Sequence, residues 1–191
     1  MSLKKFTIFS SIIIACMVIV CIVCCFITIP STFQFSSNPT SITVYNYNLS
    51  STGITATESN TNAENYKKLY EEFKKLTNLT VFQRISSGAN IYEKPSQDVN
   101  QKKPTWSSVK GGNATIELLF NEKQSIIVYI NGNSRQIDFY GLAMVVSSSS
   151  FVHEVSLYYK TTTSGTYTSS PILIQMKTNK LYKVINSMNW S

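Results

Sequence analysis

From Phe6 to Ile29 the chain reads FTIFSSIIIACMVIVCIVCCFITI, without a charge, a proline or a glycine. As a helix rising about 1.5 Å per residue, this run is roughly 36 Å long, enough to cross a hydrocarbon core of about 30 Å with some tilt. It has no polar side to offer to water. A secretory signal peptide has an apolar stretch of only about 7–15 residues followed by a small-residue cleavage site. This run is longer, and no A-x-A-like triplet ends it. The expectation is an uncleaved membrane anchor over residues 6–29, with the lipid bilayer as its partner.

Flanking charge sets a direction. Lys4 and Lys5 precede the run, and no charged residue follows until Glu58. Lys and Arg near the ends of a spanning helix favour the cytoplasmic side, so residues 1–5 are expected as a short cytoplasmic tip. The rest is expected to be extracellular or luminal, a single-pass type II arrangement. Ile13-Ile14-Ala15-Cys16 offers an alternative, a bacterial lipobox with a lipidated Cys16, but the apolar run continues well past that cysteine. All four cysteines (Cys16, Cys21, Cys24 and Cys25) lie inside the run. The remainder must therefore fold without disulfide staples.

The net charge is +7. Two of the seventeen basic residues are Lys4 and Lys5, which leaves fifteen bases against ten acids and a balance of +5 for the exposed part. That sign suits an anionic surface, such as headgroups, polymers or acidic glycans. Nucleic acid is not expected as a partner, because Arg84 and Arg135 are the only arginines and no dense basic stripe occurs.

Residues 30–60 are dominated by Ser, Thr and Asn and read as a stalk with a short strand at 41–47. A domain over 61–191 follows. Thr61-Asn-Ala-Glu64 has the form of a capping box. Tyr66, Leu69, Tyr70, Phe73 and Leu76 then draw one apolar stripe at helical spacing. Glu64/Lys68 and Glu71/Lys75 stand at i, i+4 on the polar side, and Asn78 is a plausible stop. Beyond the helix the pattern has period two, with strands expected at 80–85, 114–120, 125–130, 135–147, 153–162 and 172–178. Asn131-Gly132 marks a hairpin, while Asn121–Gln124 and Thr163–Thr166 read as further tight turns. Residues 86–113 read as a long loop, and Leu181 to Met188 suit strand or helix equally. The expected fold is α+β: an N-terminal transmembrane helix, then one amphipathic helix on a meandering antiparallel sheet of about five to six strands.

Chemistry is sparse. His153 is the single histidine, Asp98 and Asp138 are the only aspartates, and no G-x-S-x-G elbow occurs. No Cys/His ligand set for zinc is available outside the membrane run, and no glycine-rich phosphate loop is present. The reading is therefore of a protein that is not an enzyme, with no catalytic residues, metal ligands or cofactor. Eleven tyrosines stand out. Tyr140, Tyr158 and Tyr182 are candidates for a recognition surface on the solvent side of strands. Sequons at Asn48, Asn78 and Asn113, with a fourth at Asn189, are candidate glycan sites in a eukaryotic host. The leading expectation is an anchored, non-enzymatic protein-interaction or assembly domain. The alternative is a surface domain that binds glycans or an anionic polymer.

Overall fold

The computed structural model describes residues 3–26, 33, 35–46, 50–78, 92–93, 112–130, 133–151, 153–168 and 171–190. Helix α1 (Leu3–Phe26) comes first. Its stretch Phe6–Val23 is long and apolar enough to cross a membrane, and none of that stretch is buried against the rest of the protein.

The remaining elements are β1 (Ser41–Asn46), β2 (Ser50–Ala56), α2 (Ala63–Lys74), β3 (Thr77–Asn78), β4 (Tyr92–Glu93), β5 (Asn113–Ile130), β6 (Asn133–Ser147), β7 (His153–Lys160), β8 (Ile172–Lys177) and α3 (Asn179–Ser187). The sheet runs β2-β1-β5-β6-β7-β8-β3, with β4 also paired to β8. Every pairing among the described residues is antiparallel. Strands β5 to β8 form a meander. The β1–β2 hairpin comes from earlier in the chain and extends the sheet beyond β5.

Period two turns this sheet into two faces. Val44, Ile116, Met144, Leu157 and Ile172 stand in one cross-strand row over five strands, and all five are buried. Helices α2 and α3 cover this inner face. From α2 come Tyr66, Leu69, Tyr70 and Phe73, and from α3 Leu181 and Ile185, all in the same apolar core.

Composition misleads in the 30–60 segment. Read as a stalk with one short strand at 41–47, it supplies that strand as β1 and a second, β2, to the sheet. Thr43 and Thr55 face each other across β1 and β2 with their hydroxyls 2.9 Å apart, so hydroxyl-rich residues here serve strand pairing. The chain just before β1 is also built in. Phe33 is only 3% exposed, with its ring centroid 4.9 Å from that of Phe73. Phe35 stacks near Phe73 and meets Phe120 and Phe139 edge-on. Gln124, itself 1% exposed, accepts hydrogen bonds from the Ser36 and Ser37 backbones and donates to the Ser37 hydroxyl. The Tyr66 hydroxyl donates to the Pro39 carbonyl.

Asn121–Gln124 is not a turn between two strands. β5 is continuous, and the residues from Phe120 to Lys123 lie opposite Tyr140 alone, because the pairing jumps from Leu119↔Gly141 to Gln124↔Phe139. This bulge takes up the extra polar residues. It also shifts the inward phase of β6: Ile137 and Phe139 are buried before it, Leu142, Met144 and Val146 after it.

The capping box does not form either. Asn62 is the N-cap and makes no side-chain cap hydrogen bond. Asn60 organises the approach instead: its Oδ1 accepts from the Thr57 and Asn62 backbones and its Nδ2 donates to the Thr55 carbonyl. Glu64 pairs with Lys68 at 2.6 Å, whereas Glu71 takes Lys74 and Glu72 takes Lys75. A second helix, α3, joins the single one expected over the sheet, because Leu181, Tyr182, Val184, Ile185 and Met188 repeat at helical spacing against the core. The strand expected at 80–85 and the Asn131-Gly132 turn lie outside the described residues. So does most of the expected loop, within which Tyr92–Glu93 forms β4.

Candidate functional site

Two places concentrate polar side chains around shape. One is the outer face of the sheet. In the row Thr55, Thr43, Glu117, Ala143, Tyr158, Glu117 is buried at 8% exposure. Its Oε1 accepts from the Tyr167 hydroxyl at 2.6 Å and its Oε2 from the Tyr45 hydroxyl at 3.2 Å. Lys160 Nζ lies 3.8 Å from Oε1 and 4.7 Å above the Tyr167 ring. Tyr45 comes from β1, Lys160 from the end of β7, and Tyr167 from the segment that folds back beside β7, where the Thr168 N–H donates to the Tyr159 carbonyl.

Two glycines make room for this group. A Cβ on Gly141 would sit 3.1 Å from both Leu119 Cδ2 and Lys160 Cδ and 3.2 Å from the Tyr167 hydroxyl. On Gly53, where φ is +82°, it would strike the Tyr45 ring at 2.6 Å.

The chemistry of the seam is that of a clamp. Burial first, then the charge of Glu117 and the hydrogen bond to it, push the Tyr45 hydroxyl up to about 12 and that of Tyr167 further in the same direction. Both phenols thus stay protonated donors to a carboxylate. A general acid or base works best with a pKa near the operating pH, and these are tuned away from it.

The other place is a cleft of about 780 Å³ between α2 and α3. Its walls carry Glu64, Glu71 and Glu72 with Lys67, Lys68 and Lys75 from α2, facing Val184, Ser187, Met188 and Asn189. The three acids and three bases cancel, so the cleft selects neither an anion nor a cation by net charge. Asn65 joins the two walls by donating to the Asn189 carbonyl at 2.7 Å.

The three tyrosines singled out from sequence occupy different surroundings. Tyr158 is on the outer face beside Ala143, with its hydroxyl pushed up by burial. Tyr182 is on α3, on the opposite side of the sheet, partly buried against the core. Tyr140 faces the β5 bulge. His153 is half-buried at the start of β7, with Nδ1 3.2 Å from the Phe151 carbonyl and Nε2 3.3 Å from Thr178 Oγ1. Among the sequons, Asn113 opens β5 with its Thr115 fully buried. Asn78 ends β3, and Asn48 lies outside the described residues. Among the described residues no group of three or more His, Cys, Asp or Glu side chains is placed to hold a metal ion.

Sequence reasoning passed over Glu117. Its one signal was a lone acid inside Thr115-Ile-Glu-Leu-Leu-Phe120, where strand alternation turns it away from the helices and makes it look solvated. No family model, curated protein or solved structure matches this chain.

Proposed function

We propose that this chain is a single-pass, membrane-anchored interaction protein whose folded domain is displayed outside the cytoplasm and acts by docking a partner protein, without catalysis. The observation that carries this is a division of labour. An apolar helix of membrane-spanning length is left bare, while the domain closes a core to which that helix contributes nothing. Lys4 and Lys5 before the helix support a cytoplasmic N-terminus.

The domain's best-formed polar cluster supports a non-enzymatic reading, because both Glu117 oxygens are taken up by tightly protonated phenols. The α2–α3 cleft is the docking surface we favour, since its mixed charges and apolar Val184 and Met188 resemble a protein interface more than an anion site. Binding of an anionic polymer or glycan is the less supported alternative.

Two measurements on the full chain test the reading. Alkaline extraction should leave the protein with the membranes, and protease added from the cytoplasmic side of sealed vesicles should spare the domain; release or digestion overturns the anchor. A photo-crosslinking residue at Lys67 should give a discrete protein adduct that is absent from the same substitution at Tyr158. Equal adducts at both positions overturn the cleft.

A further inference from the structure

The chain between anchor and domain is too short for a stalk. From Phe26, the last residue of α1, to the core residue Phe33 there are seven Cα steps, which at most span about 25 Å. The apolar run itself continues to Ile29, so its end and Phe33 are at most about 14 Å apart along the chain. The headgroup layer accounts for about 5 to 8 Å of that distance. Phe33 is not at the surface of the domain: it is 3% exposed, beneath Phe35 and Phe73. The protein that shields it must therefore lie at the headgroups.

We infer that the surface around the β5 bulge, presenting Ser36, Asn38, Thr40, Asn121, Glu122 and Lys123, is a bilayer-contacting surface that rests on lipid headgroups. All six side chains are exposed. They carry hydroxyls, amides, one base and one acid, and Asp138 pairs with Lys123 at 3.0 Å, so the surface keeps one net negative charge. It suits hydrogen bonding to the phosphates and carbonyls of zwitterionic lipid and draws nothing from anionic lipid. The clamp of Gln124 on Ser36 and Ser37 ties this surface to the sheet. Asn113, which pairs with Ser147, stands six residues back along β5 from Leu119 at the bulge, about 20 Å away. The turn carrying Phe151, 79% exposed, lies beyond it.

This inference rests on the anchor reading of α1, and the experiment separates the two. Single-cysteine versions of the full chain, labelled at Cys21, at Lys123→Cys or at Phe151→Cys, are reconstituted in phosphatidylcholine vesicles. The vesicles contain nitroxide lipid labelled either on the headgroup or deep in the acyl chain. The expected result is acyl-chain quenching at Cys21, and headgroup quenching about threefold or more stronger at position 123 than at 151, given a separation of at least ~20 Å. Adding phosphatidylserine should not raise that ratio. Quenching at Cys21 with equal or reversed headgroup quenching at 123 and 151 overturns the membrane-facing surface but keeps the anchor. Absence of acyl-chain quenching at Cys21 overturns the anchor and this inference with it. A ratio that rises with phosphatidylserine overturns the neutral-headgroup chemistry.

Discussion

Alternate residues of the same strands build the two faces of the sheet, yet the faces are closed by different physics. On the inner face, Ile116, Leu118, Leu142, Met144 and Leu157 meet two helices, and burial of apolar surface does the work. On the outer face, one step along in register, Glu117 gathers two phenols and an ammonium from three other segments. The inner face tolerates changes that keep volume and apolarity. The Glu117 cluster on the outer face depends on its partners, because a buried carboxylate or phenol that loses its partner costs about 1–3 kcal/mol. The contrast shows why a single acid in an apolar strand need not be a solvated one.

Substitutions should expose this difference in a graded way, read by urea denaturation of the full chain in mild detergent. The largest effect is expected from Phe73→Ala, which opens a hole under Phe33 and Phe35 and should cost about 3–5 kcal/mol; a loss under 1 kcal/mol would mean the inner face is not closed by packing. Next comes Glu117→Gln, which removes the charge that holds both phenols and should cost about 1–3 kcal/mol. Glu117→Gln in a Tyr45→Phe, Tyr167→Phe background should cost less, and equal costs in both backgrounds would break the clamp description. Gly141→Ala crowds Leu119, Lys160 and the Tyr167 hydroxyl and is expected to cost about 1 kcal/mol, at the low end for overpacking. A neutral or stabilising result would show that the outer face yields.

The smallest signal is expected in alkali. The Tyr45 hydroxyl has a folded-state pKa of about 12 against an ordinary 10.0. The folded protein therefore holds its proton where the unfolded chain has lost it. That contribution is complete below pH 10 and fades as pH rises from 10 towards 12. Tyr45→Phe should flatten the fall of stability across this window, and parallel curves for the two proteins would remove Tyr45 from the seam.

What could be read in the sequence follows the range of the interactions involved. The stripe from Tyr66 to Phe73 and the alternation through residues 114–118 are local patterns, and they found α2 and the inner face. The seam was not legible, because Tyr45 and Tyr167 stand 72 and 50 residues from Glu117. The capping box at Thr61 was a sound local signal that lost to a neighbour, since Asn60 folds its own side chain onto the backbone on both sides. The polar run Asn121–Gln124 has turn composition. Phe120 and Gln124 around it nonetheless face inward to hold Phe35, Ser36 and Ser37, and that long-range contact makes a bulge of what composition reads as a turn.

The position of Gln124 also bears on how the domain is made. Ser36 precedes its partner by 88 residues, so during synthesis the residues after the apolar helix leave the ribosome well before the bulge that will hold them. The β1–β2 hairpin and α2 can form early from local contacts. Phe35 must wait, part of its ring uncovered, until Phe120 and Phe139 arrive. Non-local closure of this sort is slow and leaves apolar surface open to wrong partners. Fastening the domain to its own root is then a later step than forming the local elements it joins.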